Sequence, residues 1–112
     1  MDRVSSLLPK ATGKPVYNMR LLLNNLSPSE IIPQVNKYYV FVYKAKTPKI
    51  RYDAHPFIVC TGLYKWGFSG YNFHWDDYRR YSWQEVISNI YPINEEELNS
   101  MEKFPITKFV SN

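Results

Sequence analysis

The stretch Arg51–Trp75, RYDAHPFIVCTGLYKWGFSGYNFHW, carries eight aromatic rings, both histidines, the sole cysteine and three of the four glycines of a 112-residue chain. Its reading decides the fold. PFIVCTG is a β-branched and aromatic run, with Pro56 at its first position, where a missing N–H is tolerated. LYKWG is a tight link closed by glycine. FSGYNFHW (Phe68–Trp75) reads as an antiparallel return strand, in which Gly70 marks a bulge or a close backbone approach. Just upstream, KYYVFVYK (Lys37–Lys44) reads as the strongest strand. Side chains alternate across a strand, so its faces are Tyr38/Val40/Val42 and Tyr39/Phe41/Tyr43. Neither face is polar, so both need cover.

Weaker elements lie around this core. VYNMRLLLNNL (16–26) fits a strand or a short helix. LSPSEI predicts one helical turn, with Ser27 as N-cap, Pro28 at the first position and Glu30 closing a capping box. SWQE predicts a second, longer helix, because Ser82 and Glu85 form the same box and Trp83, Val86, Ile87 and Ile90 then share one face. INEEEL predicts another, capped by Asn94, with Ile93 stapled onto Leu98 and three glutamates at the positive end of the helix. ITKFV reads as a final short strand. Residues 1–15 hold Pro9, Gly13, Pro15 and the cations Arg3, Lys10 and Lys14, which predicts an extended basic arm that orders only on another subunit. Residues 16–112 are then one small domain. The expected class is α+β: a small antiparallel, barrel-like sheet with two short C-terminal helices and an extended N-terminal arm.

Composition narrows the function. Aromatic residues make up 17% of the chain, and fifteen of nineteen fall between Tyr38 and Trp83. No apolar run approaches a membrane span, and the first residues lack the apolar core of a secretory signal. A lone Cys60 excludes an internal disulfide and a cysteine-built zinc site, and fits a reducing compartment. Charge is uneven: 12 Lys and Arg against 5 Asp and Glu over residues 1–80, then 2 against 5 over residues 81–112. A basic body with an acidic tail suits contacts with neighbouring proteins or attraction to a polyanion.

The catalytic candidates are thin. His55 and His74 lie 19 residues apart without a recognised ligand spacing; they could meet across strands with Asp53 or Asp76 as a third ligand, but local bonding is the favoured reading, and no metal or other cofactor is expected. Cys60 sits between Val59 and Thr61 in an apolar strand and reads as a structural thiol, not as the partner of His74. Asp76 and Asp77 form a pair, read as a turn with Arg79 and Arg80 as counter-charges. The chain is therefore read as a non-enzyme. Lys44, Lys46, Lys49, Arg51 and Lys65 interleave with Tyr43, Tyr52, Tyr64 and Trp66, a ring-and-cation pattern that could hold single-stranded nucleic acid. Tyr, Trp and Arg are equally the favoured anchors of protein interfaces.

The segment from Tyr39 to Trp75 resembles a module of small virion structural proteins of T4-like tailed phages, including cyanophage relatives. The matching pattern is YDxxP followed by GFxGxNxHW, here Tyr52, Asp53 and Pro56, then Gly67, Phe68, Gly70, Asn72, His74 and Trp75. About 40 residues carry it, and related segments occur in tail, neck and DNA end-protector type proteins. The chain is too short to be a full-length end protector. The motif reads as a hairpin scaffold: Asp53 caps the turn before Pro56, and Asn72 and His74 alternate with Tyr71, Phe73 and Trp75. The resemblance implies a structural subunit of a contractile tail, in the baseplate or next in order the neck, made in the host cytoplasm and carried in the virion. Its expected contacts to other virion proteins are Arg3, Lys10, Lys14, Tyr39, Phe41, Tyr43, Lys46, Trp66, Arg79 and Arg80. The alternative is a small-barrel nucleic-acid-binding phage protein.

Overall fold

The computed structural model describes residues 2–112. A 3₁₀ turn at Ser5–Lys10 leads into helix α1 (Pro15–Asn25). Then come strands β1 (Tyr38–Val40), β2 (Arg51–Asp53), β3 (Phe57–Leu63), β4 (Gly67–Asn72), β5 (Asp77–Ser82) and β6 (Tyr91–Ile93). A 3₁₀ turn at Glu95–Glu97 runs into helix α2 (Leu98–Lys103), and β7 (Phe109–Ser111) closes the chain. Five strands form one antiparallel sheet in the order β5-β4-β3-β1-β6, and β2 pairs with β7 beside it. The class is α+β, as expected. The sheet is open, not a closed barrel.

Both faces of the 37–44 segment are covered. Val40 lies in a core with Val4, Leu7, Met19, Leu22, Phe57, Met101 and Ile106, and Tyr38 and Val42 pack onto it. Tyr39, Phe41 and Tyr43 lie in a second core with Ile58, Cys60, Phe68, Tyr81 and Ile90. The first core is roofed by α1 and α2. The second is closed by the β4–β5 hairpin, whose Tyr81 ring meets Phe41 at 5.1 Å and Tyr43 at 5.0 Å, both edge to face.

Three expectations fail locally. Residues 2–15 are not an extended arm; Met1 lies outside the described residues. Val4 and Leu7 are buried in the first core, and Arg3 Nη2 lies 2.8 Å from the buried Glu97 carboxylate. Hydrophobic burial and that ion pair fix the segment to its own domain, and the Cα radius of gyration of 13.1 Å is that of one 112-residue body. LSPSEI forms no helical turn, because Glu30 exchanges both backbone hydrogen bonds with Ile90 at 2.7 and 2.8 Å. The helix expected after Ser82 is also missing. The Ser82–Glu85 contact is made, with Oγ donating at 2.6 Å. The chain beyond it is captured by the neighbouring strand: Lys44 N donates to Glu85 O at 2.9 Å and Ile87 N to Val42 O at 2.9 Å. Of the two readings of Gly70, the bulge is not the one realised, since the irregular register lies at Cys60/Gly62 on β3. Gly70 is the close approach instead: a Cβ there would lie 2.8 Å from Ile58 Cδ1 and 3.2 Å from Val59 O.

Candidate functional site

The motif residues converge on the Asp53 carboxylate at the end of β2. Its Oδ1 accepts from His55 N at 3.0 Å, the turn cap expected before Pro56. Its Oδ2 accepts from Asn72 Nδ2 at 3.1 Å and meets His74 Nδ1 at 2.7 Å. Asn72 Nδ2 also donates to the Tyr81 hydroxyl at 3.1 Å, and Asn72 Oδ1 receives Trp75 N at 2.9 Å. Asp53 and Asn72 are buried. The YDxxP segment and the NxHW segment thus meet in one polar knot, which fixes the end of β4 against β2.

His55 Nδ1–H donates to Ile106 O at 2.8 Å, and burial holds His55 below the usual histidine range despite that bond. Burial likewise pushes the Tyr81 hydroxyl up, so it stays protonated. The Cys60 thiol is pushed up by burial and faces Gly62 O, while His74 is engaged by Asp53. Asp76 receives the Tyr71 hydroxyl and Asp77 receives Tyr78 N, each exposed. Among the described residues, no group of three or more His, Cys, Asp or Glu is placed to hold a metal ion.

The remaining motif residues are packing devices. Tyr52 is half-buried and meets Tyr43 edge to face at 6.0 Å. Pro56 and Phe68 are buried. A Cβ on Gly67 would sit 2.0 Å from Tyr81 O, so only glycine lets β4 and β5 approach there. Trp75 meets Phe109 at 4.5 Å and lies under the Arg79 guanidinium at 4.3 Å.

The expected contact residues separate into two groups. Tyr39, Phe41 and Tyr43 are at most 7% exposed and belong to the second core, so they present no surface. Arg3 is spent on Glu97. Lys10, Lys14, Lys46, Trp66 and Arg80 are exposed, and Arg79 is partly buried.

Sequence reasoning named Tyr64, Trp66 and Arg80 but missed the Tyr71, Phe73 and Tyr78 rings beside them. The β3–β4–β5 sheet turns one face to the second core and carries exposed rings on the other. Tyr71 and Tyr78 are cross-strand partners with rings 5.2 Å apart, and Phe73 meets Tyr71 at 5.3 Å and Tyr38 at 6.2 Å. Next to them, Tyr64 and Trp66 stack at 5.0 Å and 4° on the β3–β4 link, with Arg80 5.9 Å from the Trp66 ring. Tyr78 is 68% exposed. The signal was the alternation of DYRRYS, which puts Tyr78 and Arg80 on one face and Arg79 and Tyr81 on the other; residues 77–82 had been read as turn and helix start instead of as a strand. A second exposed apolar pair, Ile31 and Ile32, lines a groove of about 350 Å³.

No family model matches the chain, and no curated protein or solved structure is significantly similar to it. No described helix is long and apolar enough to cross a membrane.

Proposed function

We propose that the chain is a non-enzymatic structural subunit of a contractile-tailed phage virion, which binds neighbouring tail proteins at the baseplate or, next in order, the neck. The phage assignment rests on the YDxxP…GFxGxNxHW resemblance. The observation that carries the binding role is the uncovered aromatic face of β3–β4–β5, where Tyr64, Trp66, Phe73 and Tyr78 are all at least 36% exposed beside Arg80. Rings left in water on a rigid sheet are what a protein interface buries, and Tyr, Trp and Arg dominate interface energetics. The polar knot supports the same role by holding that sheet rigid. This reading keeps Trp66 and Arg80 of the expected contacts and replaces the basic arm and the Tyr39–Tyr43 strand with the outer face of the hairpin.

The alternative, binding of single-stranded nucleic acid, draws on one specific observation: the Tyr64–Trp66 stack with Arg80 beside it. The two readings separate by salt and by partner. Mass spectrometry of purified particles, with the Tyr78→Ser and Trp66→Ser variants, tests the first. The expected result is fixed stoichiometry for the native chain and loss of incorporation for the variants. Absence from particles, with oligonucleotide affinity that falls steeply as salt rises, favours the alternative.

A further inference from the structure

Two clefts meet at Trp75. One, of about 170 Å³, is walled by Tyr43, Tyr52, Arg79 and Tyr81. The other, of about 240 Å³, is formed by His74 and Phe109. Arg51 and Trp75 line both. Two guanidiniums from different strands therefore lie near one indole ring: Arg79 at 4.3 Å from its centroid and Arg51 at 5.7 Å.

Neither arginine is in an ion pair with a carboxylate of the cleft. The carboxylates on the 170 Å³ cleft are already engaged. Asp53 accepts from His55 N and Asn72 and pairs with His74. Glu85 accepts from Tyr43, Ser82 and the backbone of Lys46. The ion pairs among the described residues are Arg3–Glu97 and His74–Asp53, and neither involves these arginines. Arg79 Nε is buried and has no hydrogen-bond partner. A buried guanidinium N–H without an acceptor is costly, so an acceptor from outside gains from filling the place. The Tyr81 hydroxyl accepts from Asn72 and keeps its own proton to donate.

We propose that this cleft binds a small tetrahedral oxyanion, phosphate or a phosphate monoester, between Arg79 and Arg51. One guanidinium saturates a carboxylate through its two oxygens; two guanidiniums match the higher charge and extra acceptors of a phosphate. The aromatic walls leave space beyond the ion for a small organic group, which is why the class includes monoesters. The site lies on the second-core side of the sheet, opposite the Tyr71–Tyr78 surface, so it stands independently of the assembly role.

Calorimetric titration of the full chain at constant ionic strength tests it, with inorganic phosphate and phenyl phosphate as probes and acetate for comparison. The expected result is saturable one-to-one binding, weakened at least tenfold in both Arg79→Gln and Arg51→Gln and unchanged in Arg20→Gln, which removes the same charge from α1. Arg51 is exposed, so its variant carries the test if Arg79→Gln fails to fold. Tighter binding of phenyl phosphate identifies the ester as the ligand, and equal binding identifies the free ion; both support the site. Absence of saturation, equal losses in Arg20→Gln, or acetate binding as well as phosphate overturns it.

Discussion

Asp53 joins three pieces of chain through one carboxylate: its own turn at His55, the end of β4 at Asn72, and His74 beyond it. Asp53→Ala leaves the Asn72 amide and the His74 ring without that acceptor. The expected loss is about 3 kcal/mol in a denaturant melt, since each unmet buried polar group costs roughly 1–3 kcal/mol. Gly67→Ala is expected to cost at least about 2 kcal/mol, because its Cβ would meet the Tyr81 carbonyl, which is backbone and cannot swing aside. Titration adds a pH dependence. His55 is held below its unfolded value of 6.5 by burial, so the folded state resists the proton that the unfolded state accepts. That contribution is complete above about 6.5 and lost progressively as pH falls below it. Glu97 is raised by burial but lowered further by Arg3 and backbone donors, so its contribution is present above 4.5 and lost as pH falls through its lowered folded value. Thermal melts should therefore drop between pH 7 and 5, and His55→Gln should shrink that first step. Much of this scale was legible. The Asp53 turn cap and the need for glycine at 67 and 70 follow from local sequence. The partnership of Asp53 with residues 72 and 74 does not, because it depends on how β2 docks.

Among elements, the two capping boxes show what local pattern decides and what it leaves open. Asn94–Glu97 does start a helix. Glu97 Oε1 accepts Asn94 N at 3.0 Å, and Arg3 fastens the same carboxylate from the far end of the chain. Ser82–Glu85 makes its contact and no helix follows, because Val42 and Lys44 offer strand partners at that place. Capping is worth about 1 kcal/mol, too little to outweigh a set of tertiary backbone bonds. The ambiguous 16–26 segment resolves as α1 because Met19, Leu22 and Leu26 sit over the sheet. The same logic explains the first fifteen residues: Pro, Gly and Lys suggested an unattached arm, while Val4 and Leu7 supplied the anchors. Arg3→Ala leaves the Glu97 carboxylate buried without its cation, and removing one partner of a buried pair costs about 3 kcal/mol. The readout is equilibrium unfolding, with faster limited proteolysis before residue 15 as the local signature.

At the scale of the whole molecule, the doubly apolar strand at 37–44 dictated a two-core fold, and the structure has one. It also withdrew Tyr39, Phe41 and Tyr43 from any surface. The outer face of the β4–β5 hairpin, with Tyr71 and Tyr78, became the exposed aromatic field instead. A Tyr78→Ser change there should leave stability within about 0.5 kcal/mol, as for other surface substitutions, while removing partner binding. Under the proposed virion role, crosslinking mass spectrometry of intact tailed-phage particles tests the account most directly. The account predicts the chain at fixed stoichiometry, with Lys37 and Lys65 beside the aromatic face crosslinked to another tail or neck protein. A chain absent from particles, or crosslinked only through cations remote from that face such as Lys10 and Lys103, would contradict it.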